Sequence, residues 1–385
     1  MQSRLAVVVA QRSINRSSVR VLSTQSSQVL AYADLAKAKL SALVVTTTLT
    51  GFVAAGGPIP LDTLAGCLTG TMLCSSSAAA WNQILEIPND RKMKRTQQRP
   101  LVKDTLTVGQ AQGAATVWGI GGVGLLYATT DPVTTMLGAS NIVLYSGLYT
   151  YLKQHSVWNT WVGAVVGAIP PVMGWTAATG GSLLDIEAAL LGATLYCWQM
   201  PHFFALSYMH RQDYQRGGFV MLPNVDVDRT ANVILRYAYA LSAVPFVATA
   251  TGVTSSMFAL EGIALNAIAL RAAHGFHQDR TNANARKIFL TSLWYLPSLL
   301  MLFVLHSKVW DDEKDDVLAQ WVADQVHAVR AKGRGLCIHE KAVAAEDSTE
   351  DKCPVSVARR ESVRSVDVVS SVVQTELSSS ATPEK

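Results

Sequence analysis

Three oxygen-bearing side chains, Asn82, Glu86 and Asp90, follow a long apolar run at steps of four residues. Residues four apart lie on one face of a helix, so these side chains are expected to point in one direction. Mg²⁺ commonly binds one or two protein carboxylates together with the phosphates of a substrate. The spacing therefore predicts a magnesium site for a diphosphate, with Asn82, Glu86 and Asp90 as the metal ligands.

A dense basic cluster directly follows these three residues. Its cations are Arg91, Lys92, Lys94, Arg95, Arg99 and Lys103. Lys94, Arg95 and Arg99 are candidates for holding phosphate oxygens, because an arginine guanidinium can bind two such oxygens at once. In the simpler alternative, this is an ordinary polar loop whose cations only determine membrane topology. The acid spacing and the density of arginine favour the diphosphate site.

Pro88 lies inside the acidic motif and cannot donate a backbone hydrogen bond to the Ile84 carbonyl. The helix is therefore expected to kink or stop at this point. Ionised side chains cost roughly 2.5–3.5 kcal/mol each at the middle of a bilayer and less near its surface. Carboxylates at the end of an apolar span therefore indicate a function.

Long apolar stretches must position these residues, and each is long enough to cross a bilayer. Nine such spans are predicted, at residues 40–57, 64–84, 108–129, 133–152, 157–179, 184–208, 232–252, 255–273 and 287–307. Only 16% of all residues are charged, which is low for a soluble domain. The prediction is an all-α fold, a polytopic membrane bundle of about nine transmembrane helices. Pro170, Pro171 and Pro201 are expected to interrupt the fifth and sixth spans.

The charges of the connecting loops alternate along the chain. Loops after even-numbered spans carry the lysines and arginines, whereas loops after odd-numbered spans carry only Asp62, Asp131 and Asp185. This asymmetry places all basic loops on the inner side of the membrane, together with the N-terminus. Because the basic excess lies at one membrane face, nucleic acid is not an expected partner.

The two ends of the chain differ from the apolar middle. Residues 1–33 contain four arginines, many serines and no acidic residue, which is typical of a mitochondrial transit peptide; a disordered N-terminus is the alternative. A transit peptide would place the chain in the mitochondrial inner membrane, with its basic loops facing the matrix. Residues 34–307 are the predicted transmembrane domain. Residues 308–385 are predicted to be a largely disordered tail, with a short amphipathic helix around residues 316–329.

A second polar group lies in the sixth span. Trp198, Gln199 and His202 are expected to face a cavity or the bundle interior, because polar side chains are costly in lipid. On its own, His202 favours a packed polar residue over a ligand.

The basic loop after the sixth span contains Arg211, Asp213, Tyr214 and Arg216, and Lys153 lies on the same membrane side. Two charged loops on one face could together cap a single cavity.

These motifs resemble the UbiA-type membrane prenyltransferases, and among them the members that farnesylate heme. The resemblance covers roughly residues 33–307. It rests on Asn82, Glu86, Asp90, Met93, Arg95-Thr96, Arg99-Pro100-Leu101, Tyr149 to Lys153, Gly167-Ala168-Ile169-Pro170-Pro171, Gly174-Trp175, Trp198-Gln199, Pro201-His202-Phe203, Asp213-Tyr214 and Met221-Leu222-Pro223. In two departures, Glu86 stands where the wider family has aspartate, and Gln154 stands where a second basic residue often follows Lys153.

The resemblance implies transfer of the farnesyl group of farnesyl diphosphate to a vinyl group of heme b, with addition of water, giving heme O. Mg²⁺ would neutralise the departing diphosphate, and Trp81 or Trp198 would stabilise the allylic cation. Asp213 would hold metal or diphosphate from the second loop, and His202 would contact the heme iron or a propionate. The implied catalytic residues are Asn82, Glu86, Asp90, Arg95, Arg99 and Asp213, and the implied substrate-binding residues are Lys94, Lys153, Trp198, His202, Arg211 and Tyr214.

The implied partners are farnesyl diphosphate, heme b and the lipid bilayer, with heme A synthase or a second copy of the chain as further candidates. Two other functions stay open. The same chemistry could act on an aromatic quinone precursor, or the chain could be a non-catalytic transporter or assembly factor. Transporters often contain repeated broken helices around a site at the middle of the membrane, whereas the charged residues here lie at one face.

Overall fold

The computed structural model describes residues 28–334, and within this range the chain is almost entirely helical. An isolated bridge between Thr254 and Ser307 supplies its only β pairing. Most of the predicted transit peptide and the tail beyond residue 334 lie outside the described residues. The chain forms two units, Met1–Ala323 and Asp324–Lys385.

The described helices are α1 (residues 28–35), α2 (Ala38–Ala54), α3 (Leu61–Leu85), α4 (Ile87–Asp90), α5 (Val108–Thr129), α6 (Pro132–Val143), α7 (Thr150–His155), α8 (Asn159–Thr179), α9 (Ile186–Met209), α10 (Arg211–Arg216), α11 (Leu222–Val225), α12 (Val227–Ala250), α13 (Ser256–Gln278), α14 (Asn282–His306) and α15 (Val317–Arg334). A π-helical segment, Leu144–Tyr149, joins α6 to α7, and a 3₁₀ turn, Lys308–Asp311, follows α14.

Each of the nine predicted spans corresponds to a helix or a joined helical segment within residues 28–334. The fourth corresponds to α6, the π-helical segment and α7 together, and the other eight correspond to α2, α3, α5, α8, α9, α12, α13 and α14. Of these, α8, α12, α13 and α14 are long and apolar enough to cross a membrane by length and composition, and α2 is a shorter apolar helix. The all-α membrane bundle is thus confirmed.

The expectation that prolines would interrupt two spans is wrong. Helix α8 continues through Pro170 and Pro171, and α9 continues through Pro201. All three prolines are buried within the bundle. Packing from neighbouring helices holds a membrane helix together when a proline removes one backbone hydrogen bond.

Glycines bring α2 and α8 into direct backbone contact. A Cβ atom on Gly174 would overlap the carbonyl oxygen of Thr48, and one on Gly51 would overlap the carbonyl oxygen of Pro171. Small residues of this kind allow membrane helices to approach closely. This contact holds α2 against the centre of the bundle, with Lys37 immediately before its first residue.

Helices α8 and α9 form the middle of the bundle. Helix α8 packs on α2, α6 and α9, whereas α9 also packs on α12 and α14. The apolar core on the α9 side includes Trp175, Leu191, Phe258, Tyr295 and Phe303. Polar ends of α3, α7 and α9 meet at one end of this arrangement, where the candidate site lies.

The chain turns sharply at the acidic motif, as Pro88 predicts. Helix α3 ends at Leu85, and Glu86 has a non-helical backbone with φ −97° and ψ 3°. Pro88 lies in the first turn of α4, where its missing N–H needs no helical partner. Asp90 is therefore carried on a separate short helix rather than on α3.

Ordered structure continues beyond residue 307. Trp310 is fully buried in the 3₁₀ turn, and α15 includes the amphipathic helix predicted around residues 316–329. The helical part of the chain therefore reaches further than the boundary expected at residue 308.

Candidate functional site

Glu86 and Asp90 lie close together in a buried position, each with only 1% of its surface exposed. One guanidinium nitrogen of Arg99, Nη1, donates to Asp90 Oδ2 and lies 3.6 Å from Glu86 Oε2. The two carboxylates can therefore be bridged by a single cation, as a shared metal ion would require.

Two lysines from other helices complete this cluster. Lys153 Nζ on α7 lies 2.5 Å from Glu86 Oε1, and Lys153 is itself buried. Lys37 Nζ donates to Asn82 Oδ1 at 2.9 Å and to the Tyr145 hydroxyl at 3.0 Å. Asn82 and Glu86 thus have cationic partners from segments that are distant in sequence, whereas the partner of Asp90, Arg99, comes from the loop that follows it.

The charges perturb each other's protonation. Burial raises the pKa of Glu86, but the nearby Lys153, Lys37 and Arg99 outweigh it and bring that pKa below its ordinary value. Burial raises the pKa of Asp90 above its ordinary value, although Arg99 opposes this. The pKa of Lys37 is lowered to about 7 by burial first, and then by Arg99 and Lys153. Three basic side chains, Lys37, Arg99 and Lys153, surround two carboxylates in this region. This excess of basic groups favours binding of an anionic ligand.

A cavity of about 460 Å³ extends from this cationic region into the bundle. Its charged end is formed by Lys37, Arg95, Arg99 and Lys153. Its deeper walls are largely apolar or aromatic and include Leu40, Val44, Ala78, Ala79, Ile142, Tyr145, Val166, Met173, Trp198 and Phe203. This polarity suits a ligand with an anionic head and a long hydrocarbon chain.

Trp198 and His202 form one wall of the cavity. Their rings stack with centroids 4.6 Å apart, and Phe289 lies on the other side of His202 at 5.0 Å. Trp198 Nε1 donates to the Ser292 carbonyl at 2.8 Å, and His202 Nδ1 is 2.7 Å from the Ser292 hydroxyl. Both rings are thus held in place, and no hydrogen bond engages His202 Nε2 within residues 28–334.

The two predicted loops do contact each other. Asp213 Oδ1 accepts a hydrogen bond from the backbone N–H of Lys94 at 2.9 Å, and Asp213 Oδ2 accepts one from that of Arg95 at 3.3 Å. Arg95 also donates to the Tyr214 hydroxyl at 2.9 Å. The second loop therefore holds the backbone of the first, and both loops contribute side chains to the cavity through Arg95 and Tyr214.

Six of the predicted site residues do not line the cavity. Asn82, Glu86 and Asp90 lie behind its charged end, in contact with the lining residues Lys37, Lys153 and Arg99. The other three lie to one side. Lys94, Arg211 and Asp213 line a separate open hollow of about 470 Å³. Arg211 donates to the Tyr208 carbonyl and to Asn282 Oδ1, at 3.0 and 2.9 Å. Arg95 borders both spaces.

The donor set fits magnesium only in combination with a phosphate ligand. Within residues 28–334, no three His, Cys, Asp or Glu side chains gather at one point. The oxygens on offer are those of Glu86 and Asp90 and the Asn82 amide oxygen, which faces Lys37. Two carboxylates completed by substrate oxygens and water are a common magnesium arrangement. The residues present are consistent with that arrangement.

Sequence reasoning missed Lys37, Tyr145 and Thr150. Thr150 Oγ1 accepts a hydrogen bond from Asn82 Nδ2 at 3.0 Å and so orients the amide. Tyr145 lies four residues before Tyr149, and a helical pattern could have grouped them on one face. Lys37 precedes the first span on the basic side, but nothing in its local sequence indicates contact with residue 82.

Comparison with known proteins shows the family of the chain. The model of the UbiA prenyltransferase family matches residues 43–305. A mitochondrial protoheme IX farnesyltransferase of Arabidopsis thaliana is 42% identical over 311 residues, covering 79% of this chain and 72% of the relative. The Homo sapiens protein of the same name is 44% identical over 272 residues, covering 71% of this chain and 61% of the relative. The chain thus spans less than two thirds of the human protein's length.

Solved structures share the fold at much lower identity. A structure described for digeranylgeranylglyceryl phosphate synthase has a TM-score of 0.63 and 11% identity, covering 73% of this chain and 98% of that one. A UbiA homolog from Archaeoglobus fulgidus bound to GPP and Mg²⁺ has a TM-score of 0.50 and 11% identity, covering 71% and 99%. With the family match extending over most of the helical bundle, the chain belongs to the UbiA prenyltransferase family.

Proposed function

We propose that this chain is a protoheme IX farnesyltransferase, which moves the farnesyl group of farnesyl diphosphate to a vinyl group of heme b with addition of water, releases diphosphate and so forms heme O. The observation that carries the proposal is the cavity whose four cations, Lys37, Arg95, Arg99 and Lys153, lie at one end of a largely apolar chamber. A prenyl diphosphate has the matching distribution of charge and apolar surface. The names of the plant and human relatives support heme as the acceptor.

The cationic end of the cavity would bind the diphosphate. Arg95 and Arg99 offer several N–H donors each, and Lys153 adds a buried ammonium group at the same end. Glu86 and Asp90, with Asn82, would hold Mg²⁺, which supplies positive charge to the leaving diphosphate when bound. The UbiA homolog bound to GPP and Mg²⁺ supports this ligand pair. Charge accumulating on the diphosphate oxygens would thus be stabilised by groups already in place.

The apolar walls would protect the allylic cation from water. Aromatic faces stabilise cations, and Trp198 lines the cavity whereas Trp81 belongs to a different apolar cluster. Trp198 is therefore the better candidate of the two. His202 would contact the heme, because its ring is fixed by Trp198, Phe289 and Ser292 while Nε2 stays available.

Asp213, Lys94 and Arg211 would act at the mouth of the site. Asp213 holds the backbone of Lys94 and Arg95, so its contribution to substrate binding would run through the position of Arg95. Lys94 and Arg211 would attract the anionic substrates from the hollow beside the mouth.

The location follows the same reasoning. The relatives are named as mitochondrial proteins, and a mitochondrial inner-membrane position with basic loops toward the matrix agrees with the loop charges. Heme A synthase, which would receive heme O, and a second copy of the chain are the proposed protein partners.

The decisive experiment is expression of the full chain in cells that lack heme O synthase, followed by pigment analysis. Appearance of heme O supports the proposal. Purified protein is then given farnesyl diphosphate and Mg²⁺ with either heme b or an aromatic quinone precursor. If only the quinone precursor is prenylated, it is the acceptor and heme b is not. If neither acceptor is prenylated and Mg²⁺ with farnesyl diphosphate does not raise the melting temperature, a transporter or assembly role is favoured.

A further inference from the structure

A second large hollow lies on the outer surface of the bundle, between the first turn of α8 and the N-terminal half of α12. Its volume is about 760 Å³, and it is lined by Trp161, Asp226, Asp228, Arg229, Asn232, Val233, Arg236, Tyr237 and Ala240. Apart from Trp161 and Asp226, these residues belong to α12 and recur at intervals of three and four. They therefore form one face of that helix.

Two arginines on this face are not engaged by other side chains. Arg229 and Arg236 are exposed, and neither forms a side-chain hydrogen bond or ion pair within the described part of the chain. The two acidic residues nearby are already engaged. Asp226 Oδ1 accepts the backbone N–H of Arg229 at 2.8 Å, and Asp228 pairs with Arg280 at 2.9 Å. Within residues 28–334, the two guanidinium groups thus have no side-chain hydrogen bond or ion pair, although both carboxylates line the same hollow.

The position of Arg236 along α12 says more about the ligand than that of Arg229 does. It lies nine residues after the start of α12, about 14 Å along the helix axis at 1.5 Å per residue. That position falls inside the apolar stretch predicted at residues 232–252. An arginine this close to the end of a membrane span can extend its side chain to the headgroup layer, where an anionic partner is expected. Asn232 lies one turn before it on the same face; its Oδ1 is 2.9 Å from His277 Nε2, so its amide nitrogen is the atom that could contact a ligand.

Aromatic side chains surround this position. Trp161 Nε1 donates to the Tyr237 hydroxyl at 3.2 Å, and Trp158 and Trp161 pack with centroids 5.0 Å apart. Tryptophan and tyrosine concentrate at the level of lipid headgroups. Both α8 and α12 begin at the basic-loop side of the bundle, so the hollow lies at that membrane surface, where basic pockets between helices bind anionic lipid headgroups.

We infer that this hollow binds the phosphate of an anionic phospholipid, with Arg229, Asn232 and Arg236 as the headgroup ligands. The acyl chains would lie along the apolar side chains of α8 and α12 below. The inference stands apart from the proposed farnesyl transfer, because the cavity and its acidic cluster share no residue with this hollow.

The test compares lipid retention by full-length variants purified in a neutral detergent. The groove variant is Arg229→Gln with Arg236→Gln. The matched control is Arg271→Gln with Arg286→Gln, which removes two exposed arginines from the same side of the bundle. Each protein is mixed with phosphatidylglycerol or phosphatidylcholine in detergent micelles, and bound lipid is measured by native mass spectrometry. Melting temperatures without lipid confirm that both variants are folded.

The expected result is that wild type and control retain phosphatidylglycerol in preference to phosphatidylcholine. In the groove variant, phosphatidylglycerol binding should weaken by about tenfold or more, because charge-assisted hydrogen bonds are lost. Arg236→Lys alone should weaken it less, since the charge stays while the planar fork is lost. An equal loss in the groove and control variants would overturn the inference. Displacement of the lipid by millimolar inorganic phosphate would assign the hollow to a free anion and would overturn the lipid assignment.

Discussion

Lys153 and Glu86 form a buried ion pair, 2.5 Å between Nζ and Oε1, although 67 residues separate them in the sequence. The pair joins the end of α3 to α7 at the charged end of the cavity. Because both partners are buried, each depends on the other for compensation of its charge. This dependence leads to a prediction about the site's stability and activity.

Replacing Lys153 alone should both destabilise and inactivate the protein. Lys153→Met leaves the Glu86 carboxylate with only the more distant cations Lys37 and Arg99, and breaking a buried pair typically costs about 3–5 kcal/mol. The double variant Lys153→Met with Glu86→Gln should recover much of this stability but no heme O production. Thermal unfolding and pigment analysis measure the two effects. Recovery of activity in the double variant would show that the pair is only structural.

Asp90 is expected to be required for the joint effect of magnesium and farnesyl diphosphate. In wild type, Mg²⁺ plus farnesyl diphosphate should raise the melting temperature. When the ligand concentration is a hundredfold above its dissociation constant, the free energy of unfolding should increase by about 2.7 kcal/mol. Asp90→Asn should abolish this joint effect together with turnover, and addition of EDTA to wild type should have the same result. Asp104→Asn is the control, because Asp104 lies in the same loop and is exposed. A normal magnesium response in Asp90→Asn would reject Asp90 as a ligand.

Asp213 should act through the loop that it holds rather than through the metal. Its carboxylate accepts two backbone hydrogen bonds, from Lys94 and Arg95, and an asparagine can accept only one of them well. Asp213→Asn should therefore raise KM for farnesyl diphosphate, lowering kcat/KM by about tenfold, with an unchanged magnesium requirement. The measurement is a magnesium titration at saturating substrate. A shift of the magnesium optimum in this variant would contradict the positioning role.

The contact between α2 and α8 predicts a sensitive glycine. A methyl group at Gly174 would overlap the Thr48 carbonyl oxygen, and overpacking of this kind usually costs about 1–3 kcal/mol. Gly174→Ala should lower the melting temperature, and it should reduce activity because α2 carries Lys37 at its start. Gly121→Ala serves as the control, since open space surrounds that position on α5. Equal melting temperatures for the two variants would mean that α2 and α8 are less closely packed than the structure shows.

The buried amino group of Lys37 predicts that the stability of the ligand-free protein depends on pH. Burial, with Arg99 and Lys153 adding to it, lowers the pKa of Lys37 to about 7 from its ordinary value of 10.5. Below pH 7 the Lys37 side chain is protonated in both the folded and the unfolded state. Burial of its charge then destabilises the folded state to the full extent. Between pH 7 and about 10 the unfolded state binds more protons, so this contribution to stability rises with pH.

The corresponding measurement is thermal unfolding between pH 6 and 9 (roughly the range around the shifted pKa). Lys37→Met should flatten the rise seen in wild type, whereas Lys39→Met should retain it because Lys39 is exposed. Identical pH profiles for wild type and Lys37→Met would contradict the shifted pKa.

Several features of the site were accessible from the sequence. The four-residue spacing of Asn82, Glu86 and Asp90, the arginines that follow, and the stop at Pro88 are all local patterns with local causes. The expected interruption at Pro170, Pro171 and Pro201 failed because local rules neglect neighbouring helices, which support a proline-containing helix inside a bundle.

The sequence by itself determined the all-α bundle and the clustering of acids and cations at one membrane face. In a bilayer, an apolar run must satisfy its backbone hydrogen bonds internally, so composition alone implies helices. Only the tertiary structure decided which cations reach the acids, that Lys37 joins them, and that Asp213 holds a backbone segment 119 residues away. Such contacts depend on how closely helices pack and how far side chains extend, and neither quantity is encoded in residue spacing along one segment.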